Sequence, residues 1–340
     1  MQWLGKTRKL LHPSGVELTT PLLIPSFSSR GFSARKGVFS VRELLELTAP
    51  ELTDCVLLSA YDLSKRNRLP SLEKFPLNVK VTFLDSGGYE TGGEPDMSAI
   101  YGDSVRDPNW NETRLTKVYD RWPKSKPAVL VSFDHVDKRK RLHAQIESAL
   151  KLFSRYPGQL TCFLIKPEQK KDFYLEGALH ALLKNPKDVQ KFSIIGVTEK
   201  ELGVSFLDRM KKIVELRLGL DEAGLVCPIH VFGSLDPIST CLYFLSGAEL
   251  FDGLTWLRYA YLDGACVYRH NFCALQYDLE ANGETFIAKL LAHNLSALRR
   301  LEGDLRLAAI EKNVQCFAEP RRTLLNDSFN RLRGLMGGKI

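Results

Sequence analysis

Short apolar stretches recur along the chain, each followed by Gly, Asp, Pro or Ser and usually by a stretch with helical spacing of apolar residues. Continuous apolar strands that alternate with amphipathic helices are typical of a parallel sheet covered by helices. Eight such strands favour a closed (β/α)8 TIM barrel, although an open doubly wound sheet has the same alternation. The predicted strands are 22–27, 54–59, 80–85, 128–133, 160–165, 192–196, 229–233 and 249–252.

Two regions depart from a plain barrel. The connection 86–127 is too long for a simple loop, and insertions of this size usually form lids or substrate-binding segments. After Asp252 the pattern changes to a Cys- and His-bearing stretch followed by long helices. We therefore predict a catalytic barrel over 1–260 and a small zinc-binding and helical subdomain over 261–340, packed on the barrel. Amphipathic helices are predicted near 143–156, 204–218, 284–301 and 318–333.

The composition is that of an ordinary globular protein. The 340 residues are 44% hydrophobic and 26% charged, and the formal charge of +7 is only a weak indication of a polyanionic partner. The N-terminus lacks the apolar core of a signal peptide, and no stretch reaches the roughly 18 to 20 apolar residues of a membrane span. Seven scattered cysteines favour a reducing compartment over a disulfide framework. We therefore expect a cytoplasmic protein with no membrane partner.

Acidic side chains are concentrated at the carboxyl ends of the predicted strands, where TIM barrels place their active sites. Asp85, Asp134 and Asp252 each follow an apolar strand. A single Asp in this position is more often a cap for a helix or loop, but three together favour a functional site. The chain has no GxGxxG after a strand and no P-loop, so a nucleotide cofactor has no support in the sequence.

Five motifs occur in the order in which a known family has them. They are LDSGGYE (84–90), VSFDHV (131–136), IIGVTEKELG (194–203), HVFGSLDP (230–237) and GAELFDGLTWLR (247–258). With them the chain resembles the tRNA-guanine transglycosylase superfamily over roughly residues 18–300. The resemblance implies a pentosyltransferase that replaces a guanine in a nucleic acid with a 7-deazaguanine.

The resemblance also assigns roles to individual residues. Asp252 matches the nucleophile that attacks C1′ and forms a covalent glycosyl-enzyme, as in retaining glycosidases. Asp85 matches the general acid/base that handles the proton of the departing and incoming base. Asp134 matches the carboxylate that accepts from N1–H and the exocyclic amine of guanine. Tyr89 and Phe232 match aromatic residues on opposite faces of the base, and core packing is the alternative for both.

Further matched positions surround the base. Gly196 and Val197 match backbone that the base approaches closely. Glu201 matches a carboxylate near the 7-substituent, and the alternative is a solvated residue in a first helical turn. Lys166 stands where the tRNA enzymes carry a base-recognising Gln. The remaining base-binding positions are Ser86, Gly88 and Gly233, of which the two glycines would make room.

Other departures concern the contacts with the polymer. Beyond the nucleophile the family has a Pro-Thr-Arg run and a second Arg three residues later, whereas this chain has Thr255–Arg258 and then Tyr261. Arg258 is kept for a phosphate contact. A basic cluster follows Asp134 and is also predicted to contact phosphates, although a charge run is usually only a solvated face. This cluster consists of Lys138, Arg139, Lys140 and Arg141.

Taken together, the departures favour DNA over tRNA. The closest resemblance is to the shorter DpdA-type paralogues, which insert 7-cyano-7-deazaguanine into phage or bacterial DNA. We expect DNA as the polymer, helper proteins of a DNA-modification system as partners, and the cytoplasm of a bacterial or phage-infected cell. The alternatives are a tRNA enzyme, a non-catalytic partner subunit and an unrelated glycoside hydrolase. Retention of Asp85 and Asp252 disfavours the subunit, and the Ser-Gly-Gly-Tyr context disfavours the hydrolase.

A structural zinc ion is also implied by the resemblance. The family binds it with Cys-x-Cys-x-x-Cys and a later His on a helix. Two Cys and two His still provide a tetrahedral donor set, and the alternative is a helix and turn held by packing. The predicted ligands are Cys266, His270, Cys273 and His293.

Overall fold

The computed structural model describes residues 4–29, 39–65, 78–92, 107–277, 279, 283–338 and 340. The strands are β1 Lys9–Leu11, β2 Glu17–Thr19, β3 Leu22–Phe27, β4 Cys55–Ser59, β5 Val81–Asp85, β6 Ala128–Val131, β7 Leu160–Leu164, β8 Ile194–Thr198, β9 Ile229–Phe232, β10 Leu250–Gly253, β11 Ala260–Leu262 and β12 Ala265–Val267. The helices are α1 Val41–Thr48, α2 Ala60–Leu63, α3 Glu112–Arg121, α4 Leu142–Phe153, α5 Glu176–Lys184, α6 Glu199–Leu202, α7 Phe206–Glu222, α8 Pro237–Leu245, α9 Thr255–Arg258, α10 Arg269–Gln276, α11 Gly283–Glu311 and α12 Arg321–Leu335. Among these helices, none has both the length and the apolar character needed to cross a membrane.

Eight parallel strands close into a barrel in the order β10-β3-β4-β5-β6-β7-β8-β9. All eight predicted strands are confirmed, with bounds that shift by no more than two residues. The closed parallel barrel is confirmed as well, and the open doubly wound sheet is excluded. The carboxyl ends of all eight strands therefore meet at one end of the barrel.

The barrel interior is an apolar layer. Residues such as Ile24, Phe83 and Leu250 form one buried cluster with the other inward-facing strand residues. The β1–β2 hairpin adds Leu10 and Leu18 to the same cluster and so covers the amino ends of the strands. Because this end is filled with apolar side chains, a polar site has room only at the opposite end.

Helix α11 completes the ring of helices around the barrel. It packs against α1 and α8, which lie beside the first and last barrel strands. Its Glu302 side chain accepts a hydrogen bond from Leu23 N (3.0 Å), and Arg306 donates to the carbonyls of Thr19 and Pro21. The predicted helices near 284–301 and 318–333 are thus confirmed as α11 and α12, and α11 covers the seam between β10 and β3.

The described part of the predicted insertion packs on the barrel, and residues 93–106 of it lie outside the described residues. Trp110 is 1% exposed, and its indole N–H donates to the carbonyl of Ser86 (2.9 Å). Its ring meets Tyr61 edge to face at 5.3 Å. Trp110 therefore fixes the backbone that follows β5, where the site begins.

Candidate active site

A pocket of about 910 Å³, counted with its open mouth, lies at the carboxyl ends of the strands. Ser26, Asp85 and Asp252 each lie two positions beyond an apolar residue of the barrel interior. Since side chains alternate along a strand, all three point into the pocket. The predicted site residues that line it are Asp85, Ser86, Tyr89, Asp134, Lys166, Phe232, Gly233 and Asp252.

The carboxylate of Asp252 is held from two sides. Its Oδ2 accepts from Ser26 Oγ (2.8 Å), and its Oδ1 lies 3.0 Å from Nε2 of the fully buried His230. The imidazole stacks on Phe232 at 3.8 Å and meets Phe83 edge to face at 5.7 Å. Because an ionised carboxylate only accepts, we place the imidazole proton on Nε2. The orientation of the Asp252 carboxylate is therefore fixed before any substrate binds.

Ser26 and His230 were not among the residues singled out from the sequence. The signal that could have found them is the period of two within a strand, since Ser26 follows Ile24 and His230 precedes Phe232 by two positions. Finding these two residues would also require the strand register, in which β10 pairs with both β3 and β9.

Asp85 ends β5, and its Oδ2 accepts a hydrogen bond from Gly87 N (3.1 Å). Burial is the largest cause that raises the pKa of Asp85, to about 7. The Gly87 N–H opposes the shift, whereas the nearby charges of Asp252 and Asp134 add to it. A carboxyl group with a pKa near 7 is present in both protonation states at neutral pH, so it can donate and accept a proton in one catalytic cycle.

Two acids and two bases form a charge network beside Asp85. Lys166 Nζ donates to Thr198 Oγ1 (2.9 Å) and Glu201 Oε2 (3.0 Å), and it lies 3.8 Å from Asp134 Oδ2. Arg139 bridges Asp134 Oδ2 and Glu201 Oε1, each at 3.3 Å. The four charged side chains are 4% to 11% exposed. Paired buried charges of this kind are costly to break, which fixes Asp134 and Lys166 side by side at the pocket.

Aromatic rings line the same pocket. Phe232 is 7% exposed, and Tyr89 is partly exposed. The ammonium group of Lys200, another lining residue, lies 4.5 Å from the centroid of the Tyr89 ring. Gly233 follows Phe232 with a φ of +83°, a conformation that few other residues adopt. The rings and the charge network together give the pocket an apolar and a polar part.

Two glycines stand behind the pocket lining and make close packing possible. A Cβ atom on Gly88 would lie 2.2 Å from Asp134 Oδ1, and one on Gly196 would lie 2.7 Å from the Phe232 ring. These glycines therefore make room for site residues. The side chain of Val197 packs in the layer between barrel and helices, so the pocket could meet only its backbone.

The basic residues predicted to contact phosphates divide into two groups. Lys138, Lys140 and Arg141 are exposed. Arg139 turns inward into the charge network, and Arg258 is 1% exposed at the end of α9. A charge run does not indicate which of its members turns inward, so the sequence did not distinguish Arg139 from its neighbours.

The residues predicted to bind zinc do not assemble into a donor set. In the described parts of the chain, no group of three His, Cys, Asp or Glu side chains lies close enough to hold a metal ion. His293 Nε2 bonds to the Tyr261 carbonyl (2.7 Å), and His270 is exposed. Burial, and then Asp236, raises the pKa of the Cys266 thiol. Zinc binding by these four residues therefore stays a prediction.

Elemental analysis of the purified protein tests zinc binding directly. About one zinc per chain, lost in Cys273→Ser together with a lower Tm, would mean that the four residues come together around the metal. Metal-free protein, with a Tm that a chelator does not change, would remove zinc from the description of this chain.

Comparison with known proteins gives no family for this chain. No protein-family model matches it. No curated protein matches it either. The function is therefore argued from the motifs and from the geometry of the pocket.

Proposed function

We propose that this protein exchanges guanine in DNA for a 7-deazaguanine, most specifically 7-cyano-7-deazaguanine, through a covalent bond between Asp252 and C1′ of the nucleotide. The observation that supports this most directly is the pairing of two different carboxyl groups in one pocket. Asp252 is oriented by Ser26 and His230, whereas Asp85 has a pKa near 7. Double displacement requires these two roles, one carboxylate that attacks and one carboxyl group that transfers a proton.

In the first half of the proposed reaction, an Asp252 oxygen attacks C1′ while the C1′–N9 bond breaks. The electron pair of that bond goes to the base, and protonated Asp85 donates a proton so that guanine leaves neutral. In the second half, Asp85 accepts the N9 proton of the incoming base. N9 then attacks C1′, and the bond to Asp252 breaks with its electron pair returning to the carboxylate. The configuration at C1′ is retained.

The charge network supplies complementary groups for a guanine-like edge. Guanine donates from N1–H and its 2-amine and accepts at O6. Asp134 can accept both donors, while Lys166, 3.8 Å away, can donate to O6. Adenine has neither the N1–H nor the O6 acceptor, so it would leave both charged groups without partners. Tyr89 and Phe232 line the same pocket, and we assign them to the two faces of the base.

The loop after the proposed nucleophile differs from the loop of the tRNA enzymes, and this departure is our reason for choosing DNA. Tyr261, at the position of the family's second Arg, is 2% exposed and its hydroxyl donates to the carbonyl of Leu235. Arg258 is equally buried. These two positions therefore take part in packing, and they do not offer an exposed cation for the contacts that the tRNA enzymes make there.

The base-recognition role of Lys166 makes a separate prediction. Lys166→Met should weaken inhibition by free guanine about 10- to 100-fold, because a charged hydrogen bond to O6 is lost. Competition by 2-aminopurine, which has no O6, should change much less. The control is Lys166→Gln, which keeps a donor and should retain most of the guanine affinity. An equal loss for both bases would mean that Lys166 acts only through the stability of the network.

The direct test of the function is incorporation of labelled guanine and 7-cyano-7-deazaguanine into DNA and tRNA side by side. Labelled DNA is the expected result, with faster labelling of unpaired than of paired guanine, because an unpaired base need not leave a stack. Labelled tRNA without labelled DNA would mean that the substrate is tRNA and that the choice of DNA is wrong. Labelling of neither polymer, with helper proteins supplied, would contradict the proposed activity.

A further inference from the structure

A second depression, the rim groove, lies next to the base pocket. It measures about 360 Å³, and its walls include Val136, Arg139, Lys170, Lys171, Phe173 and Lys200. Lys200 also lines the base pocket, and Arg139 belongs to the charge network. The groove therefore adjoins the site proposed for the exchanged base. Lys170, Lys171 and Phe173, which also line the groove, have no role so far.

The groove has an excess of positive charge. Four of its lining residues are Lys or Arg and two, Asp172 and Glu201, are acids. Lys170 is 70% exposed and pairs with Asp137 (2.7 Å), and Lys171 is exposed as well. Lysines at the edge of a pocket for an extruded base are suited to the phosphodiester that joins this nucleotide to its neighbour.

An exposed aromatic ring lies at the same groove. Phe173 is 55% exposed, although a phenyl ring of this size is normally buried. It meets Tyr174 edge to face at 5.0 Å, which steadies the ring without covering it. An open ring beside lysines is the arrangement with which proteins stack an unpaired base of a single strand.

We propose that the rim groove binds the nucleotide next to the exchanged guanosine in single-stranded DNA, with its base stacked on Phe173 and its phosphate at Lys171 and Lys200. This proposal rests on the proposed function, because the occupant follows from the position of the groove beside the base pocket. Stacking does not recognise hydrogen-bonding edges, so the groove requires a neighbouring base to be present but selects weakly among the four. The enzyme would thus depend on the presence of a base that it does not exchange.

The test is a thermodynamic cycle between a protein ring and a DNA base. Binding of a labelled single-stranded oligonucleotide with one guanine is measured by fluorescence anisotropy, with either neighbour of the guanine replaced by an abasic residue. Phe173→Ala should weaken binding about tenfold when both neighbours are present. It should have no effect when the neighbour that occupies the groove is abasic. Phe173→Trp keeps an aromatic ring and should bind as tightly as the wild type.

Controls separate the groove from the surface in general. Val204→Ala removes another exposed apolar side chain, 74% exposed and outside the groove, and should leave binding unchanged. Lys171→Gln should lower the slope of log affinity against log salt by about 0.7. A Phe173→Ala effect equal to that of Val204→Ala, or one that persists with both neighbours abasic, would overturn the proposal. Tighter binding of the same sequence as RNA would overturn the choice of DNA.

The outcome also distinguishes the groove from the proposed function. If the protein exchanges bases but Phe173 and a neighbouring base show no coupling, only the groove proposal is wrong. If Phe173 and a neighbouring base are coupled but no base is exchanged, the groove binds single strands and the proposed transglycosylase activity is wrong.

Discussion

Asp252→Asn is expected to reduce base exchange by about 10⁴-fold or more, because a neutral amide cannot replace the attacking carboxylate. The covalent adduct between protein and DNA should disappear as well. Exchange of labelled guanine measures the first effect, and mass spectrometry of the denatured protein after reaction with DNA measures the second. The substitution preserves shape at a 5% exposed position, so the fold should persist.

Ser26→Ala is the matched control for the nucleophile. It removes the 2.8 Å hydrogen bond to Asp252 Oδ2 but keeps the carboxylate and its contact with His230. Loss of one such bond should slow exchange about tenfold and leave the adduct detectable. Wild-type exchange in folded Asp252→Asn protein would show that another group forms the bond to C1′.

Asp85→Asn is expected to slow exchange by about 10² to 10⁴-fold and to remove its dependence on pH near neutrality. In the proposed mechanism, release of guanine needs protonated Asp85, so the single-turnover release rate of the wild type should fall as pH rises through about 7. Uptake of the incoming base needs ionised Asp85 and should rise over the same range. Rapid-quench measurements of the two half-reactions between pH 5.5 and 8.5 test both trends.

The same carboxyl makes a prediction for stability, which does not depend on substrate. The pKa of Asp85 is about 7 in the folded protein and 3.8 for an ordinary Asp. Between these values the folded state holds a proton that the unfolded state has released, so this group's contribution to stability falls as pH rises from about 4 to 7. Tm measured from pH 5 to 8 should therefore fall less in Asp85→Asn. Parallel Tm curves would contradict the raised pKa.

Much of the architecture could be predicted from the sequence because each barrel strand is a short apolar run that ends at a turn residue. The strand ends also placed Asp85, Asp134 and Asp252 together, since parallel strands share one carboxyl end. Their hydrogen-bond partners were not predictable in this way. A His inside an apolar strand or a Ser near a strand end has no individual signal, and both gain meaning only from the register with β10.

The direction of side chains in the loops could not be predicted from the sequence either. Arg139 lies in a run of four basic residues, and the reason that it turns inward is Glu201, 62 positions further along the chain. Such pairings depend on tertiary contacts, which cannot be predicted from a local sequence pattern.

The hydrogen bond between Ser26 and Asp252 joins residues 226 positions apart, and α11, which comes later still, anchors the same strand through Glu302 and Leu23. Contacts so distant along the chain close a long loop, which makes them slow to form. While the protein is being synthesised, the Ser26–Asp252 hydrogen bond can form only once β10 has left the ribosome. A copy that ends before β10 would therefore lack both the Asp252 carboxylate and the strand that closes the barrel.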